Sequence, residues 1–411
     1  MNQIKSTISR LDSQDTLASY REAFLLPENT IYLDGNSLGP LPKVAQRRAG
    51  EVVEQQWGKG LITSWNQHDW ISLPARVGDK IARLVGAKEN QVVCCDTISV
   101  NVFKLLSGAL AMRPSRFVIA TTQDNFPTDI YMAQGLVKQL GGEYEIRYLD
   151  EENIAGQLTD DIAALMLTQV NFRTGRKLDM QAITAAAHEK DILTVWDLAH
   201  SAGAFEVKLD ECEVDFAVGC SYKYLNGGPG APAFIYVAQR HQANYTQPLS
   251  GWMGHKTPFA FTPDYEPHPS VAQNLCGTPS VIAMSVLDAA LSVFDNVSMS
   301  ELDIKSKKLQ QVFLSLLESS EIAHLLPLAS PLEDERGSQL AFRHNEAYAI
   351  CQAWISEGVI ADFRAPDILR VGFAPLYLSF TDMQQAVEKL AAIMTGKQYL
   401  NTEFQSKLQV T

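Results

Sequence analysis

Between residues 90 and 240 the chain alternates two patterns of apolar positions. Short β-rich runs recur: QVVCC (91–95), RFVIAT (116–121), YEIRYL (144–149), AALMLTQV (163–170), ILTVWD (192–197), VDFAVG (214–219) and AFIYVA (233–238). Most are separated by stretches with helical spacing, among them 99–112, 128–140 and 179–190. Strands that are apolar throughout must bury both faces, so the pattern predicts an α/β fold with a mostly parallel sheet between helices. Ligands of such sheets sit beyond the carboxyl ends of the strands, which makes the polar residues after each run the candidates for chemistry.

Outside this region the pattern changes. Residues 8–24 and 41–57 have amphipathic helical spacing, the second opening with Pro-Leu-Pro and ending near Gly58 and Gly60. Between them IYLDGNSLGP (31–40) predicts a short strand running into a turn. Long helices are predicted within 280–320. SQLAFR, a helix at 345–357, GVIADF, ILRVGFAP and a last helix at 381–395 then make a smaller α+β unit. The expected division is an N-terminal helical segment (1–60) packing with the small unit, a large unit (61–290) and a small C-terminal unit (291–411).

Composition narrows the class. The 34 basic and 47 acidic residues give a net charge of −13, a poor match for a phosphate backbone or an anionic membrane surface, so neither nucleic acid nor membrane is an expected partner. No apolar run approaches the roughly 18 residues of a membrane span, and MNQIKSTISRLDSQD has no apolar core of a secretory signal. The 6 cysteines show no C-x-x-C spacing, as expected for buried thiols in a reducing cytoplasm. None of the 8 histidines forms H-E-x-x-H or another metal spacing, so no metal site is expected. GWMGHKT (251–257) lacks the glycine a P-loop places before its lysine, and GGPG lacks dinucleotide-fingerprint spacing.

Two polar clusters follow strand ends. ILTVWD ends in Asp197, with His200 after it; VDFAVG is followed by Cys220-Ser221-Tyr222-Lys223-Tyr224-Leu225-Asn226 and a Gly-Gly-Pro-Gly tail. A lysine there can form a Schiff base, and an acid at a neighbouring strand end can hold a pyridinium nitrogen protonated. That pairing is what pyridoxal 5′-phosphate (PLP) asks of a protein. Taken singly, Lys223 would be a solvated lysine and Asp197 a capping acid; their joint placement favours a cofactor site. Ile98 and Ser99, at the start of the helix after QVVCC, offer a helix N-terminus to a phosphate, though a plain N-cap would look the same. Phe126, in NFPTD (125–129), could stack on a planar ring or simply pack in the core.

These segments together resemble the kynureninase family of fold-type-I PLP-dependent enzymes. The resemblance rests on LDGNSLGP (33–40), NFPTD (125–129), VNFRTG (170–175), WDLAHSAGA (196–204), SYKYLNGGPG (221–230), GWMGH (251–255) and LRVGFAPLY (369–377), in that order over nearly the whole chain. Asp-x-x-His and Ser-x-Lys are common to the wider superfamily; NFPTD, GWMGH and YKYLNGGPG narrow it. The resemblance implies hydrolysis of L-kynurenine to anthranilate and L-alanine by cleavage between Cβ and Cγ, with PLP as cofactor.

By the same resemblance Lys223 joins the cofactor, Asp197 pairs with its ring nitrogen and His200 lies beside it. Ile98, Ser99, Tyr222 and Thr168 line the cofactor and its phosphate, with Phe126 on the ring face and Asp129 near the ring edge. Trp252 and Thr278 resemble positions that close the phosphate site from the second subunit of a homodimer. Arg370 would grip the substrate carboxylate, His68 would stand near the aryl ring, and Ser37 joins the substrate-binding set. Lys223 and Tyr222 carry the catalytic expectation: the lysine as base, the Tyr222 hydroxyl, with the cofactor phosphate, polarising the carbonyl. Animal relatives that carry Asn where Thr278 stands prefer the 3-hydroxylated substrate, so Thr278 points to plain kynurenine.

Two rival readings remain. A cysteine desulfurase or selenocysteine lyase needs a nucleophilic thiol on a mobile loop shortly before the carboxylate-binding arginine, and the sole late candidate, Cys351, falls inside a predicted helix. A PLP-binding regulator would have no need of Lys223, Asp197, Tyr222 and Arg370 together.

Overall fold

The computed structural model describes residues 2–407; residue 1 and residues 408–411, the outer ends of the first and last expected units, lie outside that range. Seven strands form the main sheet: β1 (Val92–Cys94), β2 (Val118–Thr122), β3 (Glu145–Leu149), β4 (Ile162–Thr168), β5 (Leu193–Asp197), β6 (Phe216–Gly219) and β7 (Phe234–Val237). Their spatial order is β1-β7-β6-β5-β4-β2-β3. The five from β6 to β3 run parallel, while β7 is antiparallel to both β6 and β1.

Strand alternation divides the interior into two cores. Val93, Ile119, Met166, Val195, Val218 and Ile235 face the helix Ile98–Met112, packing with its Val102, Leu105, Leu106 and Ala109. Their neighbours Val92, Ala120, Leu165, Trp196, Ala217 and Phe234 belong to the core on the opposite face, with residues of the helices Leu73–Leu84 and Val281–Ala290. Both faces are dry, which explains why the strand sequences are apolar throughout. Truncating a fully buried residue such as Leu105 to alanine would cost about 2–5 kcal/mol.

A second, antiparallel sheet comprises β8 (Gln339–Arg343), β9 (Asp362–Arg364) and β10 (Ile368–Gly372), with β10 in the middle. The helix Phe380–Thr395 begins with a capping box between Ser379 and Asp382. The N-terminal helix Asn2–Ser13 packs on it.

Here the chain departs from its helical spacing. The helix expected over 8–24 stops at Ser13 and gives way to a 3-10 turn at Ala18–Ala23. Asp12 is spent on the backbone N–H groups of Phe380 and Thr381, and Asp15 on Leu17 N and the buried Lys305. The helix expected over 41–57 runs from Lys43 to Glu51, then widens into a π-helix over Val52–Gly60.

The segment 31–39 matters most for the site. Ile31–Tyr32 pairs with Val359–Ile360, Leu33 accepts from Gly372 N, and Gly39 N reaches the Tyr222 carbonyl at 2.8 Å. It thus bridges the second sheet and the Lys223 turn. A Cβ on Gly39 would lie 2.3 Å from the Lys223 carbonyl oxygen and 2.4 Å from Asn226 Oδ1, so this crossing admits only glycine without rearrangement.

Candidate active site

The chain leaves β2 toward β3 on one side and later fills β4 on the other, which places a topological switch point beyond the carboxyl ends of β2 and β4. A cavity of about 250 Å³ opens there. Ile98, Ser99, Phe126, Asp129, Thr168, Asp197, His200, Tyr222 and Lys223 all line it, from four strand ends and one helix N-terminus. Thr97, Phe172 and Cys220 line it too, and no role was read for them from the sequence. Thr97 is the N-cap of the helix Ile98–Met112, its hydroxyl accepting from Val100 N; a Thr directly before a helical apolar run was a usable signal.

Lys223 sits in a tight turn after β6, closed by hydrogen bonds from Asn226 N to its carbonyl at 2.9 Å and from Gly227 N to the Ser221 carbonyl at 2.8 Å. Its Nζ lies 3.0 Å from His200 Nε2 and 5.9 Å from the centre of the Phe126 ring. Burial, reinforced by the Lys223 charge, holds the imidazole well below its ordinary range, so it is neutral and Nε2 accepts from the lysine.

Asp197 ends β5. Its carboxylate accepts from Ala199 N at 2.8 Å and from the Thr168 hydroxyl at 3.4 Å. Thr168 also bonds Asn125 Oδ1, which in turn accepts from Phe126 N at 2.7 Å and so orients the aromatic ring. Burial raises the Asp197 carboxyl, against the pull of Lys223. Asp129 is fully buried, and burial together with the Asp197 charge pushes its carboxyl far up. Both Asp129 oxygens and His200 Nδ1 are buried without a hydrogen-bond partner among the described residues. Leaving such groups unmatched costs about 1–3 kcal/mol each, so the cavity is built for a polar occupant. Burial likewise raises the Tyr222 phenol, keeping it protonated, and the Cys220 thiol, making it a poor nucleophile.

Arg370 lies outside the cavity lining. It is 1% exposed on β10, opposite Asp362 on β9. The guanidinium bonds Asp362 Oδ2 and, at 2.8 Å, the Ser37 hydroxyl through Nη2; through Nη1 it bonds the Phe172 carbonyl. With its amide oxygen turned inward, Asn36 accepts from Nε at 3.0 Å. Arg364 Nη2 shares Asp362 at 2.9 Å and Ser37 at 3.2 Å. Nearby, burial and the Asp362 charge push the Asp34 carboxyl up to about 7.

The remaining expected residues stand elsewhere. His68 follows the short helix Ser64–Gln67, Thr278 is exposed, and Trp252 packs on Phe259 and Phe261, themselves 62% and 75% exposed. Cys351 is fully buried within the helix Ala347–Ser356, which removes it as a mobile nucleophile. Among the described residues no group of three His, Cys, Asp or Glu side chains could hold a metal ion, and no single helix is long and apolar enough to cross a membrane.

The strand order, the antiparallel β7 and the lysine and acid at adjoining strand ends define a fold-type-I enzyme of the PLP-dependent class. The fold is similar to that of C-DES solved with glycine covalently linked to the PLP cofactor: TM-score 0.77 at 18% identity, covering 90% of this chain and 98% of that one. Residues 302–390 match the kynureninase C-terminal domain. The kynureninase of Burkholderia mallei (strain SAVP1) is 47% identical over 407 residues, and that of Pseudomonas fluorescens 46%, each alignment covering 98% of both chains. The chain belongs to the kynureninase family.

Proposed function

We infer that this chain is a PLP-dependent hydrolase that cleaves L-kynurenine between Cβ and Cγ, consuming water and giving anthranilate and L-alanine, as in tryptophan degradation. Family membership over nearly the full chain supports the reaction. The observation in the site that carries it is Lys223 Nζ in a cavity whose walls include two buried, interacting carboxyls, Asp197 at the end of β5 and Asp129 in the first turn of the helix Pro127–Leu140. The residues fit the cofactor: Asp197 suits the ring nitrogen, the partnerless Asp129 suits the ring edge, and the helix start at Ile98 and Ser99, with Thr97, suits the phosphate. When bound, PLP supplies an electron sink for the carbanion chemistry.

The chain's own groups then divide the work. Burial raises the Asp197 carboxyl while Lys223, Ala199 N and Thr168 favour its charged form, and it can hold a proton on the ring nitrogen. Phe126 and His200 flank the ring, while the single Thr168 hydroxyl hydrogen goes chiefly to Asn125 and faces Asp197 at 3.4 Å. Lys223 Nζ removes the proton from the substrate Cα. The Tyr222 hydroxyl, kept neutral by burial, donates to the γ-carbonyl oxygen as water adds and negative charge develops there. Arg370 and Ser37 receive the α-carboxylate, matching a guanidinium fork to two oxygens. His68 faces the aryl ring of the bound substrate.

The homodimer belongs to the same proposal. Trp252 and Thr278 lie outside the cavity of their own chain, and the exposed Phe259 and Phe261 beside Trp252 form an apolar patch that suits a second copy. In that assembly Trp252 and Thr278 close the neighbour's phosphate site. Thr278 favours plain kynurenine over the 3-hydroxylated form, and cytoplasmic location fits the free thiols of the described cysteines. Functionally, the division is an N-terminal segment to residue 60, a cofactor unit over 61–290 and a small unit from 291.

The reaction is tested by supplying L-kynurenine to the PLP-loaded protein and quantifying both products. Equimolar anthranilate and alanine are expected. Sulfide release from cysteine without anthranilate would overturn the reading.

A further inference from the structure

Resting on the reading of Arg370 as the carboxylate receptor, the arrangement around it raises a question of supply. A guanidinium has five N–H donors. With the Asn36 amide oxygen turned inward, Nε is taken by Asn36, which also lies 3.3 Å from Nη2; both hydrogens of Nη2 go to Asp362 and Ser37, and one hydrogen of Nη1 to the Phe172 carbonyl. A single Nη1–H remains, whereas bidentate capture of a carboxylate takes parallel N–H groups of two nitrogens. One present partner must therefore yield. Asn36, Ser37 and Phe172 offer neutral acceptors; Asp362 alone offers a charged acceptor, so its bond pairs two ionised groups, and it is 2% exposed against an arginine that is 1% exposed. The Phe172 carbonyl also has a second donor, Gln339 Nε2 at 3.3 Å, so it can leave Arg370 without being stranded. Asp362 is thus the partner that stays.

We propose that Asp362, backed by Arg364, is the positioning residue that pins one N–H of Arg370 Nη2 and so turns the guanidinium edge toward the α-carboxylate of the substrate. Three features of the site converge on this. Asp362 and Arg370 are direct cross-strand partners on β9 and β10, so the backbone fixes their separation. Arg364 lies on the same strand and holds the same Oδ2 at 2.9 Å, so Asp362 is clamped from two sides. The Ser37 hydroxyl touches Asp362, Arg364 and Arg370 at 3.2, 3.2 and 2.8 Å, tying the segment that crosses to the Lys223 turn into the same cluster. Charge fits as well: two guanidiniums share the Asp362 carboxylate, which leaves positive charge for an incoming anion while the nearby Asp34 carboxyl is protonated below about pH 7. Anchoring the long arginine beforehand also removes ordering entropy from the binding step.

The idea has a sharp alternative. If Asp362 merely neutralised Arg370 and competed with substrate, its removal would strengthen binding. Positioning predicts the opposite. The test uses the PLP-loaded full chain, L-kynurenine, and the amine that lacks only the α-carboxylate. Asp362→Asn is expected to raise KM for L-kynurenine by about ten-fold or more with kcat within about three-fold, and to leave binding of the decarboxylated amine unchanged. Asp362→Glu, which keeps the charge, should recover part of the loss. A lowered KM, or equal losses for both ligands, would overturn the proposal. If Asp362→Asn fails to load PLP, Arg364→Gln reads the same coupling, with the same split expected and the same outcomes overturning it. Arg370→Lys separates the two levels: an unchanged KM in that variant refutes the receptor itself, whereas a raised KM there beside an unaffected Asp362→Asn refutes only the positioning role.

Discussion

The Nζ of Lys223 and the Nε2 of His200 face each other at 3.0 Å, an ammonium donating to an imidazole that burial keeps neutral. The pair joins the turn after β6 to the residues after β5, so the imidazole proposed to flank the cofactor is held at a fixed place relative to the lysine proposed to bond it. Replacing His200 with alanine removes one aromatic face, worth about 0.5–1.5 kcal/mol, or roughly 2–10-fold in affinity. PLP dissociation from the variant, followed by the loss of its visible absorbance, should quicken within that range. An unchanged rate would show that His200 does not flank the ring.

Tyr222→Phe removes one hydroxyl from the cavity wall and leaves the ring in place. Losing a donor aimed at a developing oxyanion typically lowers turnover by about 10²–10³-fold. The variant should load PLP normally and lose kcat to that extent. Full activity would remove Tyr222 from the mechanism.

Asp34 supplies a pH dependence with a definite sign. Its carboxyl is raised to about 7 by burial and then by Asp362, against roughly 3.9 in the unfolded chain. The folded state therefore holds the proton more tightly, and stability tied to this group is full below about 4 and is lost as pH rises toward 7. Asp34→Asn, which cannot ionise, should gain thermal stability over the parent at pH 8 relative to the difference at pH 5. Parallel melting curves across that range would place the Asp34 carboxyl near its ordinary value.

Gly39→Ala tests the crossing between the N-terminal segment and the Lys223 turn. The new methyl meets backbone and a side chain that are both fixed, including Asn226 Cα at 2.8 Å. Overpacking of this kind costs about 1–3 kcal/mol. A lowered melting temperature and a weakened cofactor band are expected together, because the displaced atoms belong to the lysine turn. A stable variant with normal cofactor binding would mean the segment has room to shift.

The sequence made the sheet legible because its strands are dry on both faces, and it placed Asp197 and Lys223 because the one ends such a run and the other follows one within a few residues. Phe126 stood out as an aromatic after a strand, Asp129 and Thr168 became site residues by resemblance, and the fold brings all three to the same cavity. The ends of the N-terminal helices were not legible. Asp12 and Asp15 look like ordinary helix-surface acids until Phe380, Thr381 and Lys305 arrive from more than 280 residues away. Asp362 and Arg364 were missed for a related reason. Alternate charges on a short strand read as a solvated face, and only the cover provided by residues 34–39 turns that face inward. Phe172 stood in a quoted motif, but its contribution to Arg370 is a backbone carbonyl, which no side-chain pattern reveals.

The central claim, that Lys223 of this cavity drives cleavage of L-kynurenine, is tested most directly by anthranilate fluorescence from PLP-loaded protein, with Lys223→Ala alongside. The account predicts prompt anthranilate release by the parent chain and none above background from the variant. Release that survives the loss of Lys223, or a PLP-bound parent chain that releases no anthranilate, would contradict it.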